Sequence, residues 1–348
     1  MVKLAILVSS LAIVAASVAP SWAAPPNNTA YVEPTTGTDS PSCGAATAPC
    51  ATLNQALANI TSGGNVYVLS GGTFGPIYLT TAVSIHGPPD DSLNIIWSNA
   101  APGCVGAAAG TCAATSNYAV DIEATSSDVF KFRYVLFNNG AGTNGAMKIG
   151  NAFGVKMDEV VLRGGTGSPP QLLLAEPNTG TQFQLLIQGG NIGFSSTGGG
   201  VLVEPQGSTS AAIDVARATV QNLQFGFKFD AATTSAAGGI EASVNDSEIL
   251  NFNGSGVALI GTGSALARVA ITRSNLLNAG AYAVQINGAN ALANLYLDSI
   301  FGNAIGVNVQ SGGVANTLGN NDFGNGNNCA VAGTPTACSS VLTSQSPQ

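Results

Sequence analysis

The chain has 348 residues, of which only 8% are charged, against about 25% in ordinary domains. Hydrophobic residues reach 45%, too many for a disordered chain, so Asn, Ser, Thr and Gly must make the surface. A formal charge of −8 with 10 basic residues makes the chain a poor partner for nucleic acid or an anionic membrane.

The first segment reads as a secretory signal peptide over residues 1–23. Lys3 supplies a positive start, residues 4–19 are apolar and uncharged, and Ser21-Trp22-Ala23 gives a small-x-small cleavage pattern. No later stretch reaches about 18 uninterrupted apolar residues, so no membrane span is expected. The expected location is outside the cytoplasm, extracellular or periplasmic.

Residues 24–65 read as an N-terminal extension. Within it, "PCATLNQALANI" places Leu53, Leu57 and Ile60 at i, i+4, i+7, which predicts one short amphipathic helix. Gly63-Gly64 is expected to end it.

Residues 66–322 carry a repeat. Apolar pairs spaced by two start at Val120, Met147, Leu172, Val201, Phe227, Val257, Val284 and Val307. Their partners are Ile122, Ile149, Leu174, Val203, Phe229, Leu259, Ile286 and Val309, and the starts are 23 to 30 residues apart. A second mark is two apolar residues five apart: Phe130/Val135, Val155/Val160, Ile187/Ile192, Ala218/Leu223, Val244/Ile249, Ile271/Leu276 and Leu295/Ile300. In one straight strand such residues face opposite ways, so the chain must bend between them if both enter one core. A unit of this length is too short for a propeller blade. It fits an all-β coil of parallel strands whose rungs stack about 4.8 Å apart around an apolar column. Gly254, Gly256, Gly261, Gly280, Gly288, Gly302 and Gly306 fall where the units turn and are expected to permit positive φ. A coil exposes strand edges at its ends, so the 53–60 helix is expected to cap one end and the loop and tail of 323–348 the other.

Six cysteines in a secreted chain predict disulfides. They fall in three local pairs, Cys43–Cys50, Cys104–Cys112 and Cys329–Cys338. With no CxxC and His86 as the only histidine, neither a metal nor a cofactor is expected.

The stretch "GTDSPSCGAATAPCATLNQALANITSGGNVYVLSGGTF" resembles the leading segment of secreted right-handed parallel β-helix proteins of the pectin-lyase-like superfamily. There a Gly-x-Asp turn (here Gly37-Thr38-Asp39) precedes a short helix, and a "V-x-V" strand and "G-G-x-F" open the coil. The resemblance covers roughly residues 31–322. It implies a single-stranded right-handed parallel β-helix, but not one function, because the superfamily holds lyases, hydrolases, adhesins and structural proteins.

In lyases of that fold an Arg or a cation neutralises a uronate carboxylate and a basic residue takes a proton, while the hydrolases use clustered Asp. The "NTD", "DD" and "RIK" hydrolase pattern is absent as a set, with no "NTD" or "RIK" in the chain. Asp90-Asp91 follows two prolines and reads as a solvated turn. Two acid–base pairs, Glu241 with Arg268 and Asp246 with Arg273, each lie 27 residues apart. That offset places them side by side on adjacent rungs. They read as ladder ion pairs, or as the start of a uronate-binding strip with the arginines as clamps. These four are the candidate catalytic residues. His86 has no sequence-near partner to orient it. Tyr31, Tyr67, Tyr118, Tyr134 and Tyr282 could stack on sugars, but nothing in the sequence gathers them. Lys131/Arg133 and Lys156/Asp158 read as outward strand positions.

The leading expectation is a secreted, non-catalytic protein presenting an Asn/Ser/Thr-rich face to an envelope, matrix or glycan partner. The rival is a polysaccharide-active enzyme, uronate lyase before glycoside hydrolase, with its site on loops 86–118, 204–213 or 230–240. A stalk or adhesin module is the third reading.

Overall fold

The computed structural model describes residues 27–90, 93–96, 103–105, 118–140, 144–164, 171–195, 198–318 and 321–344. The expected signal peptide, Asp91, Cys112 and most of loop 86–118 lie outside the described residues, and with them the Cys104–Cys112 pairing.

The chain is an all-β parallel solenoid of about 8 turns. Each full turn gives one strand to each of three sheets, which hold 12, 10 and 12 strands. In one turn Val129–Arg133 lies in the first sheet, Val135–Asn138 in the second and Met147–Asn151 in the third. The chain then returns to the first sheet as Gly154–Asp158, which pairs in parallel with Val129–Arg133. The parallel ladder runs through all three sheets, and an antiparallel contact appears where Asn327–Val331 meets Thr334–Pro335. No helix among the described residues is long and apolar enough to cross a membrane.

Alternation along each short strand sends every second side chain into the bore. In the first sheet Phe132, Met157, Ile187, Val215, Val244, Ile271 and Leu295 stack in register. In the second, Phe137, Leu162, Ile192, Val220, Ile249, Leu276 and Ile300 do the same. Val257 sits directly beside Val284 in the third. All of these side chains are buried, each worth about 1.5–3 kcal/mol of transfer free energy.

Four expected pairs shift. Leu173 and Ala175, not Leu172 and Leu174, continue the column of Met147 and Ile149. Every residue of Gln171–Ala175 is buried, so no polar alternation marks the inward face, and a slip of one residue exchanges the faces. The column through Ile187/Ile192 continues to Phe132/Phe137 and Met157/Leu162, two residues beyond the expected pairs. Val215/Val220 replaces Ala218/Leu223.

In six rungs the bend from first to second sheet is made by one left-handed non-glycine residue, and in another by Gly189 and Gly190. Tyr134, Glu159, Arg217, Asp246, Arg273 and Leu297 occupy it with φ from 50° to 58°, an uncommon conformation for non-glycine residues. Behind the bend runs a ladder of polar side chains. The Ala218 N–H donates to Ser247 Oγ (3.2 Å), the Ser247 N–H to Ser274 Oγ (3.2 Å), the Ser274 N–H to Asp298 Oδ1 (2.9 Å) and the Asp298 N–H to Asn321 Oδ1 (2.8 Å). Of the seven turn glycines, Gly288 and Gly302 have positive φ. The other five are required for space: a Cβ at Gly256 would meet the Ala283 carbonyl oxygen at 2.8 Å and one at Gly306 the Asn328 oxygen at 2.5 Å.

The helix spans Leu53–Asn59, with Thr52 Oγ1 accepting from the Gln55 N–H and with Leu53, Ala56 and Leu57 buried. Its end is not at Gly63-Gly64, which lie inside the strand Ile60–Val68. That strand pairs with Asn27–Val32, so residues before the helix already belong to the first sheet. Disulfides join Cys43 to Cys50 and Cys329 to Cys338.

Candidate functional site

The four residues singled out by spacing form two ion pairs. Glu241 and Arg268 stand opposite each other on the outer face of the first sheet, 3.6 Å apart. Asp246 and Arg273 occupy successive bends, and the guanidinium donates through Nε and Nη2 to both carboxylate oxygens at 2.7 Å. The hydrogen bond and charge of Arg273 hold the Asp246 carboxyl below the usual range. Each guanidinium therefore already meets a carboxylate of its own chain.

The structure gathers aromatic rings that the sequence left scattered. Tyr31, Tyr67 and His86 are register neighbours in the first sheet. Their rings stack at 5.7 Å and 4.6 Å between centroids. Burial, then the charges of Arg133 and Lys131, lower the His86 pKa.

The densest polar chemistry lies elsewhere, on the outer face of the third sheet. Tyr78, Asp121, Lys148, Leu174, Leu202 and Lys228 follow one another across six strands. Beside them runs a row that begins with Glu123 and Asn151 in register. Glu176, Glu204 and Asp230 continue it, each directly after the in-register trio Ala175, Val203 and Phe229. Glu123 ties the two rows together: it accepts from Lys148 Nζ at 3.0 Å and from Asn151 Nδ2 at 3.0 Å. Its head lies across Gly150, where a Cβ would collide with the carboxylate. Lys228 Nζ is 3.4 Å from Asp230 Oδ2. Asp121 is 4% exposed.

The electrostatics of this face are strongly coupled. Burial and the charge of Glu176 push the Tyr118 hydroxyl up to about 12, against a hydrogen bond from Gln171. Burial alone would lower Lys148, but the hydrogen bond and charge of Glu123 and the charges of Asp121 and Glu176 raise it. Burial, then the charges of Asp230 and Glu176, raise the Glu204 carboxyl. Five carboxyl groups against two ammonium groups leave the face acidic.

Loops leading back to the first sheet stack into a wall along one side. The Gly180 N–H donates to Thr209 Oγ1 (2.8 Å), the Gln206 N–H to the Pro177 carbonyl (3.0 Å) and Thr233 Oγ1 to the Pro205 carbonyl (3.0 Å). Two of the expected loops, 204–213 and 230–240, are in this wall.

Hydroxyl-rich ligands suit such a face, because carboxylates accept and ammonium and amide groups donate. Polyanions do not suit it, because the net field repels them. The Glu204 carboxyl, raised by burial, stands beside Asp230, which is ion-paired to Lys228. Among the described residues, one set of three His, Cys or carboxylate donors lies close enough to hold an ion. It is Asp39, Cys43 and Cys50, and the disulfide takes both sulfurs. The sequence did carry a signal for this face: Glu123, Glu204 and Asp230 each fall three residues after the starts Val120, Val201 and Phe227. A search for adjacent acids cannot see it. Comparison of the chain with protein-family models, with curated proteins and with solved structures gave no match.

Proposed function

We propose that this is a secreted right-handed β-helix protein of the pectin-lyase-like kind, with helix Leu53–Asn59 capping its N-terminal end. Its role is to contact a neutral, hydroxyl-rich glycan without turning it over. The observation that carries this reading is the half-buried double row on the third sheet, where Asp121, Glu123, Lys148, Asn151, Glu176, Glu204, Lys228 and Asp230 share one face. A chain of sugars lying along the coil axis would meet acceptors and donors on successive rungs about 4.8 Å apart. Envelope or matrix polysaccharide is the fitting partner class. The two intact disulfides fit an oxidising compartment.

Glycoside hydrolysis is the second reading, favoured by the raised Glu204 carboxyl beside the Lys228-paired Asp230. Glu204 would protonate the leaving oxygen and Asp230 would act as base or nucleophile. A uronate lyase reading fits this face poorly, since its acidity opposes a uronate chain.

The test is electrophoresis of residues 24–348 through gels cast with neutral polysaccharides, alongside a reducing-end assay. Retardation in at least one gel, lost in the Lys228→Ala/Asp230→Ala double variant and without new reducing ends, is the expected result. New reducing ends that disappear in Glu204→Gln replace it with the hydrolase reading. Free migration in every gel refutes glycan contact on this face.

A further inference from the structure

The two ends of the coil are closed differently. At the start, helix Leu53–Asn59 buries Leu53, Ala56 and Leu57 against the core. Pro34 packs on Gly72 in the first strand of the second sheet, where a Cβ would meet its ring at 2.7 Å. A proline at a sheet edge offers no N–H to a further strand. At the far end the last complete turn is Val314–Thr317, Asp322–Gly324 and Asn327–Val331. Beyond it the first sheet gains Leu342–Ser344 and the third gains Thr334–Pro335. Among the described residues the second sheet gains no strand and stops at Asp322–Gly324. Its end therefore lies about 4.8 Å, one strand spacing, below its neighbours.

This edge carries the groups that a further strand would use. Asp322–Gly324 pairs in parallel with Ser299–Phe301. The Asp322 N–H donates to the Asp298 carbonyl at 2.9 Å, and the Gly324 carbonyl accepts from the Gly302 N–H at 2.8 Å. Alternation then turns the Phe323 N–H and C=O to the other side, away from the coil. Such an edge is a template for pairing with another chain. The Phe323 side chain continues the inward column of Leu276 and Ile300, but it is only partly buried against the core. On the outer face Leu250, Leu277 and Phe301 stand in register. Phe301 is 41% exposed, and its ring lies across Gly324, where a Cβ would collide with it. Apolar surface thus flanks the Phe323 backbone on both faces of the sheet. Asp322, the charged residue of the strand, is exposed.

We propose that this edge docks an extended segment of a partner protein, which pairs with Phe323 as a further strand of the second sheet. Its residue opposite Phe323 is apolar and closes the bore. The residue opposite Gly324 is apolar and packs on the Phe301 ring. The residue opposite Asp322 is basic, which complements that carboxylate and the net charge of −8. Main-chain hydrogen bonds supply the affinity, and the alternating side-chain contacts supply the selectivity. A second copy fits less well. In a tail-to-tail approach Leu342–Ser344 and Thr334–Pro335 of both copies project past the two Phe323 edges and hold them apart. This surface lies at the end of the coil and does not depend on the reading of the third sheet.

The probe is an acetylated and amidated peptide, Gly-Asn-Lys-Ile-Phe-Gly-Asn, which sets Lys, Ile and Phe opposite Asp322, Phe323 and Gly324 in a parallel strand. Its binding to the full mature chain is followed by fluorescence anisotropy of a labelled form and by hydrogen exchange. The expected result is saturable binding below about 1 mM, with exchange of the Phe323 amide slowed at least tenfold. The same peptide with N-methylphenylalanine, which lacks one strand N–H, binds at least fivefold more weakly. Asp322→Lys changes an exposed side chain and keeps the parent's melting temperature. It weakens the Lys peptide about threefold and strengthens a Glu-Ile-Phe peptide by as much. The proposal is overturned by no binding below about 1 mM, by unchanged Phe323 exchange, by equal binding of the N-methyl peptide, or by a preference that Asp322→Lys does not invert. Sedimentation of the chain alone is expected to show a monomer. A dimer that itself protects the Phe323 amide overturns the proposal and gives the edge to a second copy.

Discussion

Asp298 stands in the ladder where neighbouring rungs carry Ser247 and Ser274, and it is 1% exposed. It accepts the Ser274 N–H through Oδ1 at 2.9 Å and the Tyr296 N–H through Oδ2 at 3.0 Å. Burial raises its carboxyl from 3.8 to about 7, and the two N–H donors only partly offset this. The folded chain thus holds a proton that the unfolded chain releases near pH 4. Stability is fully present below that pH, falls as pH rises through 4 to 7, and is flat above. At about 1.4 kcal/mol per pH unit the loss is of order 4 kcal/mol. Asp298→Ser places the hydroxyl of the neighbouring rungs there and can still accept the Ser274 N–H. It forfeits one hydrogen bond, about 1 kcal/mol, so a net gain of about 1–3 kcal/mol is expected at pH 8 and none at pH 4. Urea unfolding at pH 4, 6 and 8 measures both proteins. Parallel profiles for parent and variant over that range would show that Asp298 is ionised throughout and that the burial argument is wrong.

Leu297 holds a left-handed φ of 57° with its side chain 39% exposed. Leu297→Gly relieves about 1 kcal/mol of that conformation, and an unchanged or lower urea midpoint would contradict it. Ile271→Ala empties a fully buried site between Val244 and Leu295. It should cost about 2–5 kcal/mol, with hydrogen-exchange protection lost first on the adjacent rungs because each rung contacts only its neighbours. Arg273→Ala removes an exposed ion pair; only a small midpoint shift is expected, vanishing in 1 M NaCl. A large, salt-insensitive loss would mean that the bend itself depends on the guanidinium.

The third-sheet strands were legible because each inward pair is flanked by small or polar residues, as at Val257–Ile260 beside Tyr282–Asn287. The register failed at Leu172, where five consecutive buried residues offer no alternation, and at Ala218, where two pairs five apart overlap. The helix end failed because Gly63-Gly64 sit inside a strand that is paired on both sides rather than in a cap. The ion pairs were legible because 27 residues is one local turn. The acidic row was not, for two reasons. The bulge between Ile149 and Asn151 breaks the constant offset, and its members are single acids dispersed along the chain. Only the column view, one residue per rung, brings Glu176, Glu204 and Asp230 together.

The same column view says how a ligand on the third sheet would be measured. Charges on a solenoid are read along ladders, and the third sheet sets Lys148 and Lys228 among its five carboxyl groups. A neutral glycan bound there, as proposed, should at 100 times its dissociation constant stabilise the fold by about 2.7 kcal/mol. Thermal unfolding with and without the polysaccharide measures the increment. The Lys228→Ala/Asp230→Ala variant should lose it, and an increment that survives in that variant would place the ligand on another surface.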